Sequence, residues 1–357
     1  MQVERIAKAT APLCFLPDGR LLCYSSGNVI VMNKGLVEKS IPIKISLMEK
    51  LLGKCRLLYR FLRLGVRASI ALNNEIVILS IGNYLYELEL ESGFLSEGWY
   101  CGKGIRPLTF TRLEGISGFD DGFYFGGYLN NMDKKPVHIY KRISKDRWDV
   151  VYTFPNGSIN HVHNLVADSY RNCIWAFTGD FGESSAIWKI NNNFNTVERY
   201  LYNDQKYRGC VAFALPEGLL YATDAPFIDD YIYLFDPISK GIKQIMPIDG
   251  SCIYGCQWKD KFAFSSTVEG DGRDENIFEF LFGRKRGAGI KNDFTHIYVG
   301  NFKSGFEEIY NNKKDTFPFS FQFGTVIFPS GINCSDRLVF QPVATKKNDL
   351  DMLYYTS

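Results

Sequence analysis

His161 and His163 are two of the four histidines in this chain of 357 residues, and they stand two residues apart. Successive side chains of a β-strand point to opposite faces, so both imidazoles are expected on one face. Such a pair can divide acid–base and binding roles, and we assign both histidines as catalytic. They could also ligate a divalent metal together, although the neighbouring sequence offers no evident third ligand. A structural pair of hydrogen-bonded histidines is the other interpretation.

Two carboxylates follow in the loop that ends the next strand, within Thr178–Ser184. We assign Asp180 as catalytic and Glu183 as substrate-binding, because paired carboxylates can share acid and base roles or bind sugar hydroxyls. Asp224 occupies the equivalent place in the following module and is assigned to the substrate as well. The alternative for Asp180 is an ordinary hairpin in which its carboxylate accepts backbone amides.

Three arginines, Arg67, Arg106 and Arg208, come from three different modules. Converging guanidinium groups are natural partners of a carboxylate or sulfate on a ligand, through bidentate contacts. Aromatic faces and amides suit the C–H faces and hydroxyls of a sugar. We also assign Tyr207 as catalytic. Three further residues are assigned to substrate binding: Tyr128, Asn130 and Gln322.

The elements that must position these residues are short strands. Apolar runs alternate with turns such as 17–20, 120–122 and 216–218, and an extended helical pattern occurs in one segment only. This predicts an antiparallel all-β fold. Seven modules begin near Pro12, Arg67, Arg106, Asn160, Tyr207, Cys252 and Gln322. Their recurrence predicts a single β-propeller domain over residues 1–357, with seven four-stranded blades. The N-terminal segment is expected to complete the last blade, and the first strand of each blade to line the channel.

Two segments add a family resemblance. Ser144-Lys145-Asp146-Arg147-Trp148 resembles an Asp-box of the bacterial neuraminidase repeat type, although the repeat's usual glycine is absent and the tryptophan comes early. Residues 186–200 resemble a second copy. The resemblance covers about two blades and implies a propeller with turn motifs on its rim. Sialidases and other glycan-active proteins share such repeats, so it leaves the function open.

The segment from Lys44 to Arg67 departs from the strand pattern. Helical spacing relates the apolar residues Leu47, Leu51, Cys55, Leu58 and Leu62, and a second stripe consists of Arg56, Arg60, Arg63 and Arg67. This predicts a basic amphipathic helix at about 44–66, inserted between the first two blades. It could contact an anionic membrane surface or an acidic partner. The alternative is an insertion packed on the propeller with a solvated cationic side.

Composition excludes some classes. The formal net charge of +2 gives no global field, so we expect no nucleic-acid partner. Nine scattered cysteines without a pairing pattern indicate an intracellular protein. The first residues do not resemble a signal peptide, and no run has the length of a membrane span. The cytoplasm is therefore the expected compartment.

Two classes of function remain. The first is an enzyme that cleaves an acidic oligo- or polysaccharide, either a uronate lyase or a sialidase-like glycoside hydrolase. The paired histidines favour the lyase, whereas the repeat resemblance favours the hydrolase. The second class is a non-catalytic propeller that binds a glycan or a protein.

Overall fold

The computed structural model describes residues 2–44, 51–270 and 277–356, and these form seven four-stranded antiparallel sheets. The predicted seven-bladed β-propeller is therefore confirmed. Each blade runs along the sequence from its inner strand to its outer strand, except the last one. Strands whose side chains are buried or half-buried, such as the one over residues 230–236, explain why aromatic and β-branched residues dominate.

Blades 1 to 3 are built from twelve consecutive strands: β2 (Ala11–Phe15), β3 (Leu21–Ser25), β4 (Asn28–Asn33), β5 (Leu36–Pro42), β6 (Val66–Ala71), β7 (Ile76–Ile81), β8 (Tyr84–Glu89), β9 (Trp99–Tyr100), β10 (Thr111–Leu113), β11 (Gly122–Gly126), β12 (Val137–Ser144) and β13 (Arg147–Phe154). Blades 4 to 6 follow in the same way: β14 (His161–Asp168), β15 (Cys173–Gly179), β16 (Ala186–Asn191), β17 (Thr196–Tyr202), β18 (Gly209–Leu215), β19 (Gly218–Thr223), β20 (Asp230–Asp236), β21 (Gly241–Ile248), β22 (Cys252–Trp258), β23 (Lys261–Ser266), β24 (Phe294–Asn301) and β25 (Gly305–Lys313).

Blade 7 joins the two ends of the chain. Its strands are β26 (Thr325–Ile327), β27 (Arg337–Val343), β28 (Met352–Thr356) and, outermost, β1 (Gln2–Ala7). The pairing of β1 with β28 confirms that the N-terminal segment completes the last blade. This pairing closes the ring of blades by joining the two ends of the described chain in one sheet.

The inner strands surround the axis, because the first strands of neighbouring blades contact one another, as in β14 with β18 and β18 with β22. Every predicted module start lies within five residues of an observed first strand; the largest offset is between Arg106 and Thr111. Apolar clusters fill the space between adjacent blades, for example around the fully buried Trp175 and Phe235. The axis itself is lined by the inner strands.

A β-bulge recurs near the start of the inner strand in five blades. A bulge inserts one extra residue and redirects its side chain. The extra residues are Leu13, Arg67, His163, Cys210 and Ile253. Three of the five therefore carry polar or ligating side chains at equivalent places around the channel.

The Asp-box-like segment 144–148 forms the hairpin between β12 and β13, and 192–195 forms the corresponding hairpin between β16 and β17. Asp146 reaches the neighbouring blade, where its Oδ1 accepts hydrogen bonds from Ser96 Oγ at 2.6 Å and from Gly98 N at 3.1 Å. Both turns lie between third and fourth strands. Membership of the neuraminidase repeat family stays a prediction.

The inserted segment differs from the predicted amphipathic helix. Its described helix, α1 (Arg56–Phe61), has six residues, and Arg67 belongs to strand β6. Leu47 lies outside the described residues. The predicted polarity is wrong: the apolar stripe residues Leu51, Cys55, Leu58 and Leu62 are exposed, whereas Arg60 is fully buried. The cause is a set of distant carboxylates that bind Arg60.

Arg60 fastens α1 to blades 6 and 7. Its Nη1 lies 2.6 Å from Asp315 Oδ2 and 2.8 Å from Asp349 Oδ2, and its Nε donates to Phe321 O at 2.9 Å. A buried charge is tolerated only when it is paired in this way. A second helix of six residues, α2 (Ile277–Phe282), lies in the connection between β23 and β24. In the parts of the chain that the structure describes, no helix combines the length and apolar character needed to cross a bilayer.

Candidate functional site

The candidate site lies at one end of the propeller, where each inner strand begins and each second strand ends. In blade 4, His161 opens β14, and it pairs with Gly179, the last residue of β15. Asp180, the next residue in the sequence after Gly179, therefore lies beside His161. The same antiparallel register places Asp224 next to the start of β18 in blade 5. The topology thus brings side chains from several blades to one end of the channel.

The two histidine rings face each other through their Nε2 atoms, which are 2.9 Å apart. Both side chains are buried. His161 Nδ1 lies 2.9 Å from Leu129 O, and because a carbonyl can only accept, this nitrogen carries the hydrogen. In the tautomer that carries its hydrogen on Nδ1, His161 directs a lone pair from Nε2 toward His163. The expected common face of the two rings is present, and the bulge at His163 contributes to it.

Asp180 Oδ1 completes a cluster of three ligating atoms. It lies 3.3 Å from Nε2 of each histidine. Its orientation is fixed from two sides, because Arg208 Nη2 is 3.1 Å from the same oxygen and the Asp180 amide donates to Asn160 Oδ1 at 2.9 Å. Gly179 leaves room for this arrangement, since a Cβ on it would stand 2.4 Å from His163 Cε1.

The electrostatics of the cluster favour an ionised Asp180 carboxylate beside an uncharged His163 ring. Burial lowers the pKa of His163, and the charge of His161 lowers it further, against the hydrogen bond with Asp180. Burial alone would raise the pKa of Asp180, but His161 and Arg208 hold it well below its usual range. Near neutral pH, Asp180 is thus a carboxylate and His163 an uncharged ring.

Two nitrogens and one carboxylate oxygen at these separations suit a divalent cation. Ligand atoms at about 2.0–2.2 Å from one metal ion lie roughly 3 Å from each other, as these three do. The Leu129 carbonyl fixes the tautomer of His161 as an outer partner commonly does for a metal-binding histidine. His163 Nδ1 is buried without a hydrogen-bond partner among the described residues. The donor set therefore fits a cation at Nε2, Nε2 and Oδ1.

A second buried group lies beside the first and was missed in part by the sequence reasoning. Asp224 Oδ2 accepts from Cys210 Sγ at 3.2 Å and lies 3.4 Å from Arg208 Nε. Glu269, which follows β23 in blade 6, is also buried, and burial together with the charge of Asp224 raises its pKa to about 8. Its position after a second strand was the available signal, because Asp180 and Asp224 follow second strands too.

Tyr128 separates the histidines from an arginine. Its ring centroid lies 4.4 Å from that of His161, and the Arg106 guanidinium carbon lies 4.8 Å from the tyrosine centroid. A cavity of about 210 Å³ opens here, lined by Tyr128, Asn130, His161 and Asp180 among others. An aromatic face, an amide and a carboxylate therefore border one small cavity, which Glu183 and Asp224 of the predicted rim do not line.

The central channel holds a second cavity, of about 290 Å³, lined in part by Arg67, Arg106 and Gln322. Burial and the neighbouring charge of Arg106 lower the pKa of Arg67 to about 10. Neither arginine forms an ion pair with any residue in the described ranges. Two uncompensated guanidinium groups thus face the channel, whereas Arg208 is already engaged with Asp180 and Asp224.

Two predicted site residues lie elsewhere. Glu183 is exposed on the 3-10 helix Gly182–Ser184, and its Oε2 lies 3.1 Å from Arg199 Nη1. Tyr207 packs against the apolar cluster between blades 4 and 5. Neither side chain lines the two cavities just described. Their predicted roles remain untested.

A third potential ligand group comprises Asp249, His296 and Glu308 on the outer part of the propeller. His296 Nδ1 is 3.0 Å from Glu308 Oε2, and its Nε2 is 3.2 Å from Asn292 Oδ1. Both ring nitrogens already have partners. This group is explained as a structural network.

No protein-family model matches the sequence, and no curated protein matches it either. Solved structures resemble the fold. An oligogalacturonate lyase in complex with manganese is 12% identical, with a TM-score of 0.61 over 99% of this chain and 93% of that one. The Cps50 (Swd1) β-propeller domain of Myceliophteria thermophila is 8% identical, with a TM-score of 0.54 over all of both chains. The AfRom2 CNH domain is 6% identical, with a TM-score of 0.54 over 100% of this chain and 99% of that one. At these identities the likeness supports the fold alone.

Proposed function

We propose that this propeller binds an acidic glycan at the channel end and cleaves it with the help of a divalent cation held by His161, His163 and Asp180. One observation carries the proposal: the convergence of two Nε2 atoms and one carboxylate oxygen within 3.3 Å of one another. The bound cation would act as a Lewis acid toward a carboxylate of the substrate. Uronate elimination is the chemistry we favour.

The chain's own residues hold this centre in place. Leu129 O fixes the tautomer of His161, and Arg208 and Asn160 orient Asp180. Because Asn160 and Arg208 are buried and Leu129 is half-buried, these partners hold the three donor atoms at their separation. Preorganised groups of this kind lower the cost of placing charge at the reacting centre.

The acidic substrate class is supported by Arg106 and Arg67. They are uncompensated and lie on the channel side of Tyr128, so they offer planar donors to a second carboxylate or sulfate. The Tyr128 ring and the Asn130 amide offer an apolar face and a hydrogen-bonding edge to a sugar. The oligogalacturonate lyase among the similar folds is consistent with this class, although the similarity itself extends to the fold only.

In an elimination, the proton next to the uronate carboxylate leaves to a base. The electrons of that C–H bond form a carbon–carbon double bond, the bond to the leaving sugar oxygen breaks, and that oxygen takes up a proton from the protonated base or from water. Neutralising the carboxylate makes the proton acidic enough to remove. If cleavage needed no cation, the lone pair on His161 Nε2 would be the base. A hydrolase or a non-catalytic glycan-binding propeller are the competing functions.

The test is a panel of acidic oligosaccharides, including polygalacturonate, alginate and sialylated fragments. Reactions are followed by the ultraviolet absorbance of unsaturated products and by new reducing ends, before and after chelation and after return of manganese or calcium. Unsaturated products that require the cation support the proposal. Reducing ends alone would establish a hydrolase, and binding without either product would establish a binding protein.

A matched control separates the site from general damage. His161→Ala and His163→Ala should abolish turnover and metal content, whereas His138→Ala should change neither, because His138 is a half-buried residue of β12 whose Nδ1 lies 2.8 Å from Thr153 Oγ1, away from the cluster. We also propose the cytoplasm as the compartment, since all nine cysteines are free thiols.

A further inference from the structure

A second functional surface is formed by α1, α2 and the 3-10 helix Phe319–Phe321, which we call the helical face. Both α-helices contact this 3-10 helix. The Phe61 ring lies 5.0 Å from the Phe321 ring, while Ser320 Oγ donates to Leu281 O at 2.7 Å. The three short helices therefore form one connected surface.

Apolar side chains point outward from the helical face. Phe278 and Phe282 are 67% and 55% exposed, and their rings are 4.9 Å apart. On α1 and immediately after it, Leu58, Phe61 and Leu62 are exposed as well. Single exposed apolar residues are ordinary, but a group of this size on one surface indicates that something covers it.

Cations accompany these apolar groups. Lys54 precedes α1, Arg63 follows it, and Arg284 and Lys285 follow α2; all four are exposed. None of them forms an ion pair with another residue of the described ranges. The two carboxylates beneath α1, Asp315 and Asp349, are compensated by Arg60. Glu279 is the exposed acid of α2. Among the residues that the structure describes, this surface is therefore apolar, with four exposed cations and the single acid Glu279.

We propose that the helical face docks on an anionic phospholipid surface. Phenylalanine and leucine side chains enter the boundary between headgroups and acyl chains, while lysine and arginine approach the acidic headgroups. Helices of six residues are too short to cross a bilayer, so they would lie in its interface. The helical face therefore complements both the negative charge of the headgroups and the apolar boundary below them, and this is why we propose an anionic membrane as its partner.

Docking would also orient the candidate site. Helix α1 lies in the connection from blade 1 to blade 2, and α2 lies between the second and third strands of blade 6. His161 begins the first strand of blade 4, and Asp180 follows its second strand. Connections between blades, and connections between second and third strands, lie at this same end of the propeller, so the two helices lie at the end that holds His161 and Asp180. A docked propeller would turn its channel end toward the membrane. The inference stands independently of any catalytic activity.

Vesicle co-sedimentation tests the proposal with the full chain. Vesicles of phosphatidylcholine alone are compared with vesicles that also contain phosphatidylserine, at low and high salt. The unmodified protein should bind only the anionic vesicles, and salt should weaken binding. Arg284→Ser with Lys285→Ser should reduce affinity about twentyfold, and Phe278→Ser with Phe282→Ser about tenfold.

The matched control is Leu36→Ser with Val37→Ser. These residues are 75% and 61% exposed at the turn between β4 and β5, at the opposite end of a blade, and their loss should leave binding unchanged. Circular dichroism confirms that each variant is folded. Absence of binding to anionic vesicles overturns the proposal. This is also the result expected if a protein, and not a membrane, covers the helical face. Equal losses in all three double variants, or equal binding to uncharged vesicles, overturn it too.

Discussion

The Nε2 atoms of His161 and His163 lie 2.9 Å apart, and Asp180 Oδ1 lies 3.3 Å from both. Two unprotonated nitrogens at this distance repel each other, so a proton or a cation must lie between them. A proton between them gives an ordinary hydrogen bond. A bound cation would be held by all three donor atoms at once. Metal binding is therefore the property that tests this arrangement most directly.

Replacement of either histidine by alanine should remove the metal. Loss of one direct ligand is expected to weaken affinity by more than about a hundredfold, since even the loss of an outer partner costs about ten- to a hundredfold. Elemental analysis of the purified variants and titration with manganese measure this effect. His138→Ala is the control and should retain the metal. Equal metal content in all variants would contradict the assignment.

Removing the charge of Asp180 should alter both metal affinity and the pH dependence of stability. Because its folded pKa lies below the unfolded value of about 3.9, its charge stabilises the fold above that value, and the contribution is lost as pH falls through the folded pKa. Asp180→Asn should therefore destabilise the protein at pH 7 by about 1–3 kcal/mol and much less in acid. Urea unfolding at neutral and acid pH gives the two values. An equal loss of unfolding free energy at both pH values would contradict this account.

The architecture and much of the site were predictable because both depend on local patterns. A spacing of two puts His161 and His163 on one face, and recurring turns give the blades. Partners across blades were not predictable, because nothing local specifies them. Arg60 forms ion pairs with Asp315 and Asp349, which lie 255 and 289 residues away in the sequence. That pairing buries Arg60 on α1 and leaves the apolar stripe residues exposed.

The same reason explains Arg208. A basic residue at an inner-strand start resembles a ligand for an anion, but the structure engages it with Asp180 and Asp224. Arg67 has no such acidic partner among the described residues, because the second strand of its own blade continues into Gly82 and Asn83 instead of an aspartate. Equivalent positions in a repeat therefore need not share a role.

Gly179 should be required for the position of His163. In Gly179→Ala the new Cβ would stand 2.4 Å from Cε1 and 2.6 Å from Nε2 of that ring, so the ring must move. Metal affinity should fall sharply while the protein stays folded. Gly241→Ala is the control, because its Cβ would meet only the flexible side chain of Ser239. Manganese titration and thermal unfolding of both variants check the prediction, and unchanged affinity in Gly179→Ala would refute it.

Glu269 should make the fold progressively less stable as pH rises from about 4.3 to about 8. Its folded pKa of about 8 lies above the unfolded value, so the folded state retains a proton that the unfolded state has lost. The free energy of unfolding therefore falls as pH rises from about 4.3 to about 8, by at most roughly 1.4 kcal/mol per pH unit. Glu269→Gln should flatten this dependence. Urea unfolding across that range measures it, and equal slopes for the two proteins would rule the effect out.

Arg60 should be essential for the docking of α1. Its replacement by methionine removes the cation that Asp315 and Asp349 share and leaves each with one other cation, Lys314 and Arg56 respectively. The cost should therefore lie below the about 3–5 kcal/mol of a buried charge left with no partner. Arg60→Lys should recover only part of this, because an ammonium group cannot reach both carboxylates and Phe321 O with the geometry of a guanidinium. The exposed Arg63 provides the control, and Arg63→Met should be nearly neutral. Limited proteolysis should cut Arg60→Met between residues 51 and 66 before the propeller unfolds. If both methionine variants were equally stable and equally resistant, the ion pairs of Arg60 would not be what fastens the helix.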